Sequence, residues 1–114
     1  MLRTTLNELA SLGIEFRKLE SDNLPHALKQ YDKDNTSDES ADNVRFVEAY
    51  IPSIDVRLFI RVEQLGENLF NIAFSDSDGR FRAYKKLTND QFKKKYLAII
   101  DEWYGMSAED MQAE

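Results

Sequence analysis

The chain of 114 residues has no cysteine, one histidine, two prolines and four glycines. Without cysteine there is no disulfide, no thiolate nucleophile and no Cys-ligated zinc, which fits a reducing, cytoplasmic setting best. His26 alone cannot build a multi-histidine metal centre, and no nucleophile motif lies near it. The glycines at 13, 66, 79 and 105 all fall between expected elements, so there is no Gly-rich loop to cradle a phosphate. No apolar run approaches the roughly 18 residues that cross a bilayer. Arg3, Asn7 and Glu8 interrupt the stretch that a signal peptide would need.

What is present is a globular balance, with 42% hydrophobic and 11% aromatic residues. That excludes a wholly disordered chain and supports one core, not two. The net charge of −6 is unevenly spread. Residues 31–44 hold five acids against one base, and the last 14 residues hold five acids and no base. Between them, 80–95 gathers Arg80, Arg82, Lys85, Lys86, Lys93, Lys94 and Lys95 against Asp90 alone.

Hydrophobic periodicity orders the elements. Leu2, Leu6, Leu9 and Ala10 share one face of a first helix that Gly13 can end. Ile14-Glu15-Phe16-Arg17 alternates briefly, as a short strand or an extended link. Asn23 and Pro25 open a second, short helix with Leu24, Leu28 and Tyr31 on one face. Residues 32–43 contain no apolar side chain larger than alanine and read as a flexible acidic loop.

From Val44 the period becomes two. Ile54, Val56, Leu58, Ile60 and Val62 alternate without a break against Asp55, Arg57, Phe59, Arg61 and Glu63. Turn signals at Pro52-Ser53, Gly66-Glu67-Asn68 and Asp76–Gly79 divide the stretch into four strands. Thr88 and Gln91 then form a capping box, and Leu87 with Phe92 a hydrophobic staple. The helix they start has Phe92, Tyr96, Ile99, Ile100, Trp103 and Tyr104 on its core face, and Gly105 after it. The expected fold is α+β: a four-stranded antiparallel meander, two N-terminal helices and a long amphipathic C-terminal helix packed on the sheet. It forms one domain over 1–105, with an acidic tail over 106–114.

A two-residue turn at Pro52-Ser53 would set Glu48 opposite Arg57, Phe46 opposite Phe59 and Tyr50 opposite Asp55. A three-residue loop at 66–68 would put Ile72 opposite Val62 and Phe74 opposite Ile60. With Phe81 and Ala83 in the core, Phe46, Tyr50, Phe59 and Tyr84 share the second face with Arg57, Arg61 and Arg82. Aromatics interleaved with arginines suit single-stranded nucleic acid or an acidic peptide. The leucines of the N-terminal helices compete for that face, and a helix lying on it would hide the aromatics.

Asp32, Asp34, Thr36 and Asp38 imitate the first four ligand positions of a calcium loop. Ser37 replaces the required glycine and Asn43 the bidentate glutamate, so no metal is expected. Asp76 and Asp78 read as turn residues beside Gly79. No carboxylate pair or cofactor motif points to an enzyme. The expected function is that of a small acidic binding module, an inhibitor or adaptor that meets a basic protein. Its partner-binding residues would be Asp32, Asp34, Asp38, Glu39, Asp42, Asp101, Glu102, Glu109 and Asp110. In the extreme it mimics nucleic acid and blocks a DNA- or RNA-handling enzyme. The alternative is a nucleic-acid binder using the aromatic–arginine face with Lys93, Lys94 and Lys95. An acidic α+β chain of this size with an amphipathic C-terminal helix also resembles secretion chaperones, and that likeness, carried by no motif, implies a homodimer around a client.

Overall fold

The computed structural model describes residues 15–18, 24–35 and 43–105. In chain order these form β1 (Glu15–Lys18), α1 (His26–Asn35), β2 (Val44–Ile51), β3 (Val56–Gly66), β4 (Leu69–Asp76), β5 (Phe81–Leu87) and α2 (Asn89–Tyr104). The strands lie in sequence order in one antiparallel sheet. The α+β class and the four-stranded meander are therefore present, and the short alternation before residue 18 adds a fifth strand at the edge. Among the described residues no helix is long and apolar enough to cross a membrane.

The strand pairings decide what each face carries. Tyr50 lies opposite Arg57, Glu48 opposite Phe59 and Phe46 opposite Arg61. This is offset by two residues from the pairing that a two-residue turn would give. Pro52–Ile54 winds a 3-10 turn and Asp55 closes it at φ 51°, so the connection takes four residues. A slip of two keeps every side chain on its own face, and Val47, Ala49, Val56 and Leu58 still point the same way. Between β3 and β4 the expected register holds, with Ile72 opposite Val62 and Phe74 opposite Ile60. Its construction differs: Gly66 pairs with Leu69 across a two-residue turn, and the ladder shifts between Gln64 and Gly66. The extra residue, Leu65, is left 44% exposed.

In β5 the faces are reversed from expectation. A four-residue turn at Asp76–Gly79 would place Phe81 opposite Phe74. Instead Asp76 remains in β4, its N–H donating to Arg80 O, and Gly79 adopts φ 91° in a three-residue connection. One residue less in the loop flips the strand. Arg82 pairs with Phe74 and Tyr84 with Ile72, so both lie on the α2 side, while Phe81 and Ala83 lie on the α1 side. Lys85 and Lys86 then bulge opposite Asn71, with Lys86 at φ 59°, and return Leu87 to the α2 core.

α2 begins as its sequence dictates. Gln91 N donates to Thr88 Oγ1 at 3.3 Å, and Thr88 N donates to Gln91 Oε1 at 2.9 Å. Its buried stripe of Phe92, Tyr96, Ile99 and Ile100 meets Leu58, Ile60, Phe70, Ile72 and Phe74. Trp103 and Tyr104, expected inside, sit half-buried at the margin of that core.

The two expected N-terminal helices are not matched. The helix over Leu2–Ala10 falls outside the described residues, and the second, α1, lies between β1 and β2. It also runs to Asn35, so Asp32–Asn35 form its last turn and not the start of an acidic loop. The remaining loop residues 36–42 and the tail 106–114 lie outside the described residues. α1 covers part of the second sheet face, where Leu24 and Leu28 are buried against Ala73 beside Phe46, Phe59, Phe81 and Ala83. Burying two leucines contributes about 3–6 kcal/mol before the entropy of ordering is subtracted.

Candidate functional site

The aromatic–arginine surface is not assembled as one face. Phe46 and Phe59 pack beneath α1, Tyr84 and Arg82 lie across the sheet, and Arg61 is only 1% exposed. Arg61 Nε donates to Asp32 Oδ1 at 2.8 Å, and its guanidinium sits 5.4 Å from the Tyr31 ring centroid. Glu63 approaches to 3.5 Å. Asp32 reaches Arg61 because it follows Leu28 by four residues and so shares the sheet-facing side of α1.

The rest of that face carries a chain of charges. Arg17 Nε donates to Glu48 Oε2 at 2.9 Å, and Arg57 Nε lies 3.3 Å from Glu48 Oε1. Glu48 is buried between these two guanidinium groups. Arg57 stacks 4.9 Å above the Tyr50 ring, and Tyr50 donates its hydroxyl to Asp55 Oδ1 at 2.8 Å. Tyr50 and Arg57 thus remain together near the surface, without the phenylalanines expected beside them.

The expected acidic residues also part company. Asp32 is committed to Arg61, and Glu102 Oε2 accepts from Arg82 Nη2 at 2.6 Å. Asp34 is exposed and accepts from Gln30, and Asp101 is exposed on α2. Asp38, Glu39, Asp42, Glu109 and Asp110 lie outside the described residues. On α2, Lys94 and Lys95 are exposed and Lys93 is half-buried, with Lys95 Nζ 5.0 Å from the Tyr84 ring centroid.

One end of the sheet concentrates chemistry that the sequence did not reveal. There the Pro52–Asp55 connection, the Ser77–Gly79 turn, the start of α1 and the end of α2 converge. Asp76, buried at 3% exposure, accepts from Asp78 N, Arg80 N, Arg80 Nη1 and Tyr104 Oη. Burial, reinforced by Asp76, pushes the Tyr104 phenol well above its ordinary value, so Tyr104 stays a donor. Two hollows flank Asp76 and Ser77. The larger, about 520 Å³, is walled chiefly by Leu24, Pro25, Ala27 and Phe59, with His26 exposed on its rim. The smaller, about 180 Å³, is lined by Asp55, Arg57, Asp78 and Tyr104. The Asp-Ser-Asp-Gly run signalled only a turn; the bond from Tyr104, 28 residues later, has no local signature.

Among the described residues no group of three His, Asp or Glu side chains is placed to hold a metal. No family model matches the chain, and neither a curated protein nor a solved structure is significantly similar to it.

Proposed function

We propose that this chain is a small, non-catalytic protein-binding module of the cytoplasm, an inhibitor or adaptor that meets a basic protein through its acidic segments. The observation that carries the reading is the separation of charge. Residues 31–44 and 101–114 together hold ten acids and one base, whereas the rest of the chain holds 14 bases and 11 acids. The excess negative charge therefore belongs to these two segments of the sequence. Such segments steer basic surfaces over a Debye length of about 8 Å at physiological ionic strength and repel free nucleic acid. In its strongest form the module imitates nucleic acid before a DNA- or RNA-handling enzyme. The nucleic-acid-binding alternative loses support because Phe46, Phe59 and Arg61 are taken up by α1.

The test compares Asp38→Asn, Glu39→Gln and Asp42→Asn in one variant with Lys93→Gln, Lys94→Gln and Lys95→Gln in another. Each is titrated with poly-lysine and with a single-stranded DNA oligonucleotide at several salt concentrations. Salt-sensitive poly-lysine binding that weakens only in the carboxylate variant is the expected outcome. DNA binding that disappears in the lysine variant would replace it with the nucleic-acid reading.

A further inference from the structure

We propose that the double hollow at the Asp76 end of the sheet seats a lysine or arginine side chain of the partner, with an apolar neighbour of that residue in the larger compartment. This rests on the reading of the partner as a basic protein, and it assigns a contact to the Asp76 end of the sheet as well as to the acidic segments. Volume comes first. The larger compartment, at about 520 Å³, lies within the range of about 300–1,000 Å³ usual for ligand sites. Its walls of Leu24, Pro25, Ala27 and Phe59 suit an apolar group.

Charge selects the occupant of the smaller compartment. Its lining brings together three carboxylates, Asp55, Asp76 and Asp78, and one guanidinium, Arg57. Arg57 already faces Glu48, and Asp76 is saturated by the Arg80 and Tyr104 donors. Asp55 has accepted one hydroxyl, from Tyr50, while Asp78 is 79% exposed and only 3.6 Å from Arg80. These two carboxylates retain acceptor capacity that a cation with several N–H donors can use. An anion would meet both of them at close range, so the smaller compartment selects against it.

The experiment is fluorescence anisotropy with the full chain and three labelled peptides. One alternates arginine and leucine, one replaces each arginine with glutamate, and one replaces each leucine with glycine. The arginine–leucine peptide is expected to bind most tightly. Its affinity is expected to fall about tenfold in the Asp55→Asn, Asp78→Asn double variant. Both positions are exposed, and asparagine tolerates the left-handed backbone at 55, so the fold is retained. Equal affinity in the double variant, a preference for the glutamate peptide, or no binding up to millimolar concentration each overturns the proposal. The variant neutralised at 38, 39 and 42 separates the two ideas. Loss there with none at 55 and 78 leaves the acidic-segment reading standing and removes the cleft; the converse keeps the cleft and removes the segments.

Discussion

Arg61 and Asp32 form a 2.8 Å ion pair across the seam between β3 and α1, with the arginine side chain 1% exposed and the aspartate 26%. A charge so deeply placed is tolerable only while a counter-ion faces it, because desolvation of an unpaired guanidinium costs several kcal/mol. The pair therefore makes the seating of α1 specific. Leucines alone permit the helix to slide, whereas the carboxylate is held where it meets Arg61.

Removing that counter-ion should be costly. Asp32→Asn is expected to destabilise the fold by about 1–3 kcal/mol, less than a full orphaned charge because Glu63 stays within 3.5 Å. Asp34→Asn, on the exposed side of the same turn, should change stability by less than about 0.5 kcal/mol. Urea melts of the two variants check the contrast, and equal effects would refute the assigned role of Asp32.

The aromatic residues of α2 should separate in the same way. Phe92 is fully buried among Phe70 and Phe74, with ring centroids 6.4 Å and 6.2 Å away. Phe92→Ala is expected to cost about 3–5 kcal/mol through the cavity left behind. Trp103 lies half-buried against Tyr104, so Trp103→Ala should cost only about 1–2 kcal/mol. Its fluorescence maximum should fall between those of buried and water-exposed tryptophan; a fully blue-shifted maximum would contradict the marginal position.

Alkaline pH should expose the buried phenols. Burial pushes Tyr96 and Tyr104 above the ordinary tyrosine value. The unfolded chain then releases these protons from about pH 10, before the folded chain does. The stability they contribute is complete below that pH and falls as pH rises beyond it. Denaturant melts from pH 8 to 11 should show this decline, with a shallower one in Tyr96→Phe. An unchanged slope in that variant would show that other groups drive alkaline unfolding.

The helix cap gives a local prediction. Thr88→Ala removes the acceptor for Gln91 N and should cost about 1 kcal/mol. Thr88→Ser should retain nearly all of it, as thermal melts would show.

Much of this architecture is written locally in the chain. The capping box at Thr88 and Gln91, the alternation from Ile54 to Glu63 and the stripe from Phe92 to Ile100 each engage neighbours within a few residues, and short-range spacing declares them. Even the offset at Pro52–Asp55 left the core unchanged, because a slip of two preserves the face. Only the tertiary structure decided three other matters. The length of the Ser77–Gly79 connection moved Arg82 and Tyr84 to the α2 side, since a single residue reverses a strand. The docking of α1 turned Asp32 and Arg61 from surface charges into a pair across its seam. The Asp76 cleft joins two loops and two helix ends remote in sequence, and no residue there can signal its partners before the chain has folded, because the forces that bring them together are the burial of α1 and α2 on opposite faces of the sheet.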